Sequence, residues 1–464
     1  MFIYNTLKKD KDLLIPIKKN KLKIYVCGIT VYDYCHVGHG RNMFNFYLIN
    51  KYFKHRGYML KYVRNITDID KKIINKSIKT NESTNKLTKR IIYSIYKDEK
   101  ILGLLSPDYE PKVSKYKNII IYYIKKLIKN DCAYIKKGNV YFKIQKHTLY
   151  GLLSNQNIKN LALFFSKKKD KYKKNTLDFS LWKKSKDFFG WDSPWSVGFP
   201  GWHIECSVLS KIYLGNKIDL HGGGLDLVFP HHENEKAQSE LMFCKPHVNI
   251  WVHSGHLNIK QKKMSKSLNN IILLRKILNK YNKEVIKCFF LLTHYRKSIK
   301  FNKCKLDMFF KTLTRFYTII NYITPQKKNH KNLFYNKLIL ALENDFNTVK
   351  AFSILVEMLY KIKIIFQLGK IKKAQVLCFE LIRLGKTLEC FKSLPNNFLK
   401  TNLVFDRKQI EILILKRNIY KKENKFLQSD KIRNYLTTFD LFFQDTFKRN
   451  FWFYCLKTEY SAVW

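Results

Sequence analysis

An α/β fold is what the sequence predicts: a parallel-sheet domain split by an insertion, then a helical bundle and a small C-terminal region. Three observations carry the prediction. Ile24-Tyr25-Val26 reads as a buried strand that ends at Cys27-Gly28 and enters a helix near His36-Val37-Gly38-His39. Two more short apolar runs, Tyr58 to Val63 and Ile218 to Leu220, each stop at a polar or glycine-rich cluster, where open parallel sheets present their ligands. Beyond Phe301 apolar residues recur three and four apart, the period of helices that bury one face.

The stretch from Ile24 to Arg41, IYVCGITVYDYCHVGHGR, organises the rest. Its strand, glycine-containing turn and helix N-terminus together aim backbone N–H groups and the positive helix end at an anion. His36 and His39 share a helical face, and Gly38 and Gly40 let a ligand approach the backbone closely. The second strand runs into Arg64-Asn65-Ile66-Thr67-Asp68-Ile69-Asp70, and Lys72 to Leu105 reads as amphipathic helix. From Ser106 the pattern changes. Ala133 to Phe142 predicts a hairpin turning at Lys137-Gly138-Asn139, Lys167 to Lys174 a solvated lysine loop, and Phe179 to Pro200 a return to the main domain. Glycine supplies only 17 of 464 residues, so three in a row at Gly222 to Gly224 mark a backbone constraint. Trp251 to Asn270 reads as strand, lysine-rich loop and helix. Ala351 to Phe366 and Ala374 to Leu388 are bundle helices, Gln409 to Asp430 a basic helix, and Arg433 to Trp464 an aromatic-rich piece. The expected divisions are 1–105 and 201–301 for the two halves of the sheet domain, 106–200 for the insertion, 302–397 for the bundle and 398–464 for the tail.

Composition bounds the function. Hydrophobic residues make up 46% and aromatics 15%, so the chain is globular. Lys and Arg number 88 against 35 acids, a net charge of +53, which permits an anionic partner such as nucleic acid. Lys, Ile, Asn, Tyr and Phe are abundant throughout, the mark of an AT-rich coding sequence, so the charge permits that partner without requiring it. Ten scattered cysteines fit reduced thiols and exclude a disulfide scaffold. The first twenty residues lack an uninterrupted apolar core, so no secretory signal is expected. No run approaches the roughly 18 apolar residues of a spanning helix.

His36-Val37-Gly38-His39 and Lys263-Met264-Ser265-Lys266-Ser267 together resemble the two signatures of class I aminoacyl-tRNA synthetases. Their flanks, CGITVYDYCHVGHGR, NITDID, GWHIECS, HGGGLDLVFPHHENE and GHLNIKQKKMSKSL, narrow the resemblance to the cysteinyl-tRNA synthetase family. FFLLTHYRKSIKF and ALENDFNTVKA extend it over nearly the whole chain. The sequence departs from the family pattern at Asn269, where glycine is usual, and along the drifted tail.

The resemblance implies a Rossmann-type catalytic domain with a connective insertion, followed by a helical bundle and an anticodon-binding end. It implies formation of cysteinyl-adenylate from L-cysteine and ATP (with Mg²⁺), release of pyrophosphate, and transfer of cysteine to the 3′-terminal adenosine of tRNA(Cys). One Zn²⁺ per chain would sit on Cys27, Cys206, His231 and Glu235 and select cysteine over serine through its thiolate. Cys27 is expected at a strand end and Cys206 ahead of a helix; His231 and Glu235, four apart, can project from one helical turn, whereas His232 next door would face elsewhere. Gly28, Thr30, Thr67, Trp202 and His221 are implied to line the cysteine pocket. His36, Gly38, His39 and Lys266 are implied to bind ATP, with His36, His39, Lys263 and Lys266 stabilising charge as pyrophosphate forms. A carboxylate is already a nucleophile at neutral pH, so no general base is required. Arg417, Phe426 and Arg433 are candidate tRNA contacts, through phosphate or unpaired bases. A cytoplasmic monomer with no membrane contact is expected. Two alternatives stay open: a ligase of the same fold joining cysteine to an amino sugar, and an inactive RNA-binding relative.

Overall fold

The computed structural model of the chain describes residues 1–158, 160–161, 172–185, 190–243, 246–259, 262–263, 270–327, 333–399, 407–437, 441–445 and 450–454. They form two compact units. The first holds Met1–Leu274, His294–Ile299 and Glu343–Asn347, and the second holds the remainder.

In the first unit, β1 (Lys21–Thr30), α1 (Val37–His55), β2 (Met59–Thr67), α2 (Lys71–Thr80) and α3 (Thr84–Leu102) precede the insertion. After it come α4 (Trp202–Leu214), β3 (Ile218–Gly224), α5 (Glu233–Phe243) and β4 (Val248–Ser254). The four strands are parallel in the order β4–β3–β1–β2. Tyr25, Val63, Ile204, Val208, Ile218 and Trp251 bury their side chains in one core, each worth roughly 1.5–3 kcal/mol on burial.

β1 does not stop at Cys27. It runs on to Thr30 with a pairing irregularity between Val26 and Ile29, which places Cys27 inside the strand rather than at its end. Gly28 is required there because a Cβ would collide with the Asn65 carbonyl of β2. The single amphipathic helix expected after β2 is two: Asn81 takes a left-handed φ of 49°, and the Ser83 hydroxyl caps α3 by accepting the Lys86 N–H.

The insertion contributes a helix at Lys117–Lys129 and a four-stranded antiparallel sheet of Ala133–Lys136, Asn139–Phe142, Phe179–Lys184 and Gly198–Pro200. Phe179 to Pro200 therefore extends the insertion's own sheet instead of rejoining the parallel one, with Trp182 fully buried against Trp195. Residues 167–171 of the expected loop lie outside the described residues.

The second unit is helical, with α6 (Lys283–Leu291), α7 (Lys303–Tyr322) and long helices at Thr348–Gln367 and Ile371–Thr387. The basic helix expected over Gln409–Asp430 is broken in two, Arg407–Lys422 and Phe426–Thr437, where Asn424 adopts φ 58°. A hairpin of Leu441–Asp445 and Asn450–Tyr454 follows, and the last ten residues of the aromatic-rich piece lie outside the described residues.

Candidate active site

The site is built at the C-terminal ends of the parallel strands, where chain after chain of a doubly wound sheet leaves its crevice. His36 is the N-cap of α1: its Nδ1 accepts the His39 N–H at 3.1 Å, while His39 Nδ1 accepts the His36 N–H at 3.4 Å. The two rings stack with centroids 3.5 Å apart. Because both Nδ1 atoms accept backbone hydrogens, both neutral rings carry their proton on Nε2 and are fixed as donors. The turn ahead of α1 is held by residues that follow β4: Val37 N–H donates to Ile272 O and Leu274 N–H to Cys35 O. Arg41, one turn into the helix, is buried and donates to the carbonyls of Gly255, His256, His294 and Lys297 at 2.7–3.2 Å. Burial lowers its pKa to about 10, so it stays charged at neutral pH.

Beneath the turn, side chains from β1, α4, β3 and α5 converge. Cys27 Sγ lies 3.6 Å from Cys206 Sγ, 3.2 Å from Glu235 Oε1, 3.3 Å from His232 Nε2 and 3.5 Å from His221 Nε2. His231 Nε2 lies 2.8 Å from Glu235 Oε1, yet makes no hydrogen bond of acceptable alignment; Glu235 Oε2 is also left without one. All six residues are buried. Two quartets, Cys27–Cys206–His231–Glu235 and Cys27–His221–His232–Glu235, each bring four ligand atoms within 4.8 Å of one another. Burial pushes the Cys27 thiol and the Glu235 carboxyl well above their usual ranges, and pushes His221 and His232 well below theirs. Thiols, a carboxyl and neutral imidazoles facing one point in a dry volume are a donor set for a divalent cation, the charge that would let the acids ionise together. Behind the imidazoles stand further histidines: His203 Nδ1 meets His231 Nδ1 at 2.8 Å, and His253 Nε2 meets His232 Nδ1 at 2.7 Å. Such contacts fix ring orientation behind a metal ligand.

Above the cluster a cavity of about 500 Å³ opens, lined by Cys27, Gly28, Thr30, His36, Gly38, His39 and Trp202 among others. Trp202 stacks on His231 with centroids 4.1 Å apart.

Residues 13–310 match the family model for the class I (C) tRNA synthetase catalytic domain. The chain is 42% identical over 460 residues to the cysteine–tRNA ligase of Buchnera aphidicola subsp. Acyrthosiphon pisum (strain Tuc7), spanning 97% of this chain and 98% of the relative. The chain belongs to the cysteine–tRNA ligase family. To the cysteine–tRNA ligase of Coxiella burnetii (strain Dugway 5J108-111) it is 41% identical over 455 residues, covering 97% and 99%. A solved methionyl-tRNA synthetase of Mycobacterium tuberculosis, in complex with methionyl-adenylate, superposes with a TM-score of 0.60 at 12% identity over 82% of this chain and 91% of that one, which shows the class I fold.

In this family member the sequence-derived candidates do not all meet at one place. Cys27, Gly28, Thr30, His36, Gly38, His39 and Trp202 share the cavity, and Cys206, His231 and Glu235 lie in the buried cluster. Cys206 is inside α4, on its second turn, rather than ahead of a helix. Thr67 and His221 are buried: Thr67 Oγ1 donates to Glu205 Oε2 at 3.0 Å, and His221 packs against Trp251. Lys263 falls in a two-residue strand, while Lys266 and Asn269 lie outside the described residues. In the tail, Phe426 is 56% exposed, Arg433 is half-buried and Arg417 is 2% exposed, so the Arg417 guanidinium is not presented at the surface.

Sequence reasoning missed several participants. It set His232 aside because neighbours on a helix diverge, but the π turn at Val228–His232 and the reach of an imidazole bring both histidines to the cluster. The signal was Gly223, where a Cβ would lie 2.7 Å from the His232 ring. Arg41 and Asn65 gave no signal: among 88 basic residues one more arginine is invisible. Asn65 nonetheless accepts the Gly28 N–H at 2.8 Å and donates to Thr67 Oγ1 at 3.2 Å, joining two candidate pocket residues.

Proposed function

We propose that this chain is a cysteine–tRNA ligase that selects cysteine with a zinc ion, forms cysteinyl-adenylate from ATP, and passes cysteine to the 3′-terminal adenosine of tRNA(Cys). The observation that carries the reading is the buried meeting of two thiols, an imidazole and a carboxylate under the His36–His39 turn. Of the two quartets, Cys27, Cys206, His231 and Glu235 is the one assigned to zinc: it has two sulfurs, and His231 Nε2 and Glu235 Oε2 are its unsatisfied atoms. Zinc there supplies a soft Lewis acid that prefers a thiolate to a hydroxyl.

The protein's own groups do the rest. Gly28 and Thr30 of β1 line the cavity beside Cys27, and Trp202 closes one wall over His231. The cysteine carboxylate attacks the α-phosphorus of Mg²⁺-bound ATP in line, so positioning and charge stabilisation dominate. His36 and His39 present Nε2–H donors at the positive end of α1, and Gly38 keeps the backbone open between them. Lys263 and Lys266 supply further positive charge as pyrophosphate leaves. Thr67 and His221 act from behind the cavity, Thr67 through Asn65 and Glu205. Phe426 and Arg433 are the tail contacts kept for tRNA.

No helix among the described residues is long and apolar enough to cross a membrane, and the described cysteines are all free thiols. A cytoplasmic monomer working on tRNA is part of the proposed reading. The test is charging of a purified tRNA pool with labelled cysteine, beside cysteine-dependent ATP–pyrophosphate exchange. Exchange with charging supports the reading. Exchange without charging points to the amino-sugar ligase, and neither to an inactive RNA-binding relative.

A further inference from the structure

We propose that Lys72 seats the 3′-terminal phosphodiester of the RNA acceptor, at the edge of the cavity opposite the nucleotide-holding segments; this rests on the function proposed above. Among the described residues, two Lys or Arg side chains line the cavity, Arg64 and Lys72. Arg64 is committed elsewhere: its guanidinium is paired with Glu99 and Glu110, each at 2.5 Å. Lys72 has no carboxylate within ion-pair distance among the described residues, and it is exposed to the solvent side of the site.

Its position is one that local energetics disfavour. Lys72 follows Lys71 in the first turn of α2, just after the Asp70 cap, and that turn carries no acidic residue. Two ammonium groups there oppose the positive helix end. The Lys72 ammonium is held 5.7 Å from the Tyr32 ring centroid and 5.8 Å from that of Trp202. An unpaired cation flanked by two aromatic faces, at the mouth of a cavity, fits the phosphate and base of an unpaired nucleotide.

The sheet order says which anion. The segments that follow β4, at one edge, hold His36 through the Val37–Ile272 bond and carry the Lys262–Lys263 strand. Lys72 follows β2, at the other edge. Triphosphate and pyrophosphate belong to the His36 side, and a cysteine carboxylate must face that side to reach the α-phosphorus. The anion left for Lys72 is the backbone of the acceptor end, entering over β2.

The experiment uses the full-length zinc-loaded protein and tRNA(Cys) transcript, comparing Lys72→Met and Lys72→Arg with the native chain. Lys72→Met is expected to slow single-turnover transfer from preformed cysteinyl-adenylate at least ~10-fold, while ATP–pyrophosphate exchange changes less than ~3-fold. Lys72→Arg is expected to recover most of the transfer rate. The salt dependence of tRNA binding should lose about 0.7 in log–log slope with Lys72→Met, one single-strand phosphate contact, which a merely structural role would leave unmoved. An equal loss of exchange would assign Lys72 to cysteine or ATP instead, and unchanged transfer would remove it from the site; either overturns the proposal. A native chain that neither exchanges nor charges overturns the proposed function itself, so the two failures are distinguishable.

Discussion

Two buried glutamates, one in each compact unit, show what separates a site from a scaffold. Glu284 on α6 is 1% exposed and saturated: it accepts hydrogen bonds from the N–H groups of Phe391, Lys392 and Ser393, the Ser393 hydroxyl and the Tyr317 hydroxyl, all at 2.7–3.1 Å. Beside it Lys287 and Glu389 form a buried ion pair at 3.0 Å. Glu235 on α5 is as deeply buried at 2%, but one of its oxygens has no hydrogen bond although it lies 3.3 Å from a histidine nitrogen. The first carboxylate has every lone pair answered and ties α6 to α7 and to the loop at 391–393. The second accepts from the Cys27 thiol through one oxygen and leaves the other, like His231 Nε2, without a hydrogen bond. Burial is the same in both; satisfaction differs, and an unsatisfied buried cluster is the one that asks for a ligand.

If that contrast is right, substitutions in the two regions must fail in different ways. Cys206→Ala should abolish zinc retention after dialysis and lower cysteine-dependent exchange by more than the ~10–100-fold typical of losing a residue behind a metal ligand; metal analysis and exchange kinetics on one sample check this. His203→Ala, which removes only the group behind His231, should weaken zinc affinity within that ~10–100-fold range, read by chelator competition. Glu284→Gln should leave zinc content and the cysteine-to-serine ratio unchanged while costing about 2 kcal/mol in urea unfolding, since two donors then face an amide nitrogen. A Glu284→Gln chain of native stability, or one that lost zinc, would erase the distinction. Phe426→Ala, at an exposed tail position, should raise the KM for tRNA only a few-fold (about 1 kcal/mol of lost stacking) with exchange untouched.

Much of this organisation was legible in the sequence because its signals are local. Strand, glycines and the start of the helix occupy one stretch, and the roles of its residues came from the family motifs that the stretch resembles. That the sheet is parallel followed from apolar runs ending in polar clusters; its strand order did not. What was not legible depended on non-local or exceptional geometry. Cys27 lies within its strand because a pairing irregularity lets β1 continue to Thr30. Asn81 and Asn424 break helices by adopting positive φ, a choice open to many asparagines in a chain rich in them. Phe179 to Pro200 pairs with the insertion hairpin because Trp182 finds its partners there, which hydrophobicity could not reveal. His232 was misjudged from ideal helix geometry at a turn that is not an α-helix. Arg417 looked like a surface cation because arginines usually are, and its burial is set by packing.

The central claim is that a metal held by Cys27, Cys206, His231 and Glu235 reads sulfur against oxygen before ATP is consumed. The most direct measurement is kcat/KM for ATP–pyrophosphate exchange with cysteine and with serine, taken as zinc is titrated into the metal-stripped, folded protein. The account predicts that exchange with cysteine rises in proportion to occupancy, saturates at one zinc per chain, and exceeds serine by about 10⁴-fold or more. Exchange that is independent of zinc, or serine activated as readily as cysteine at full occupancy, would contradict it.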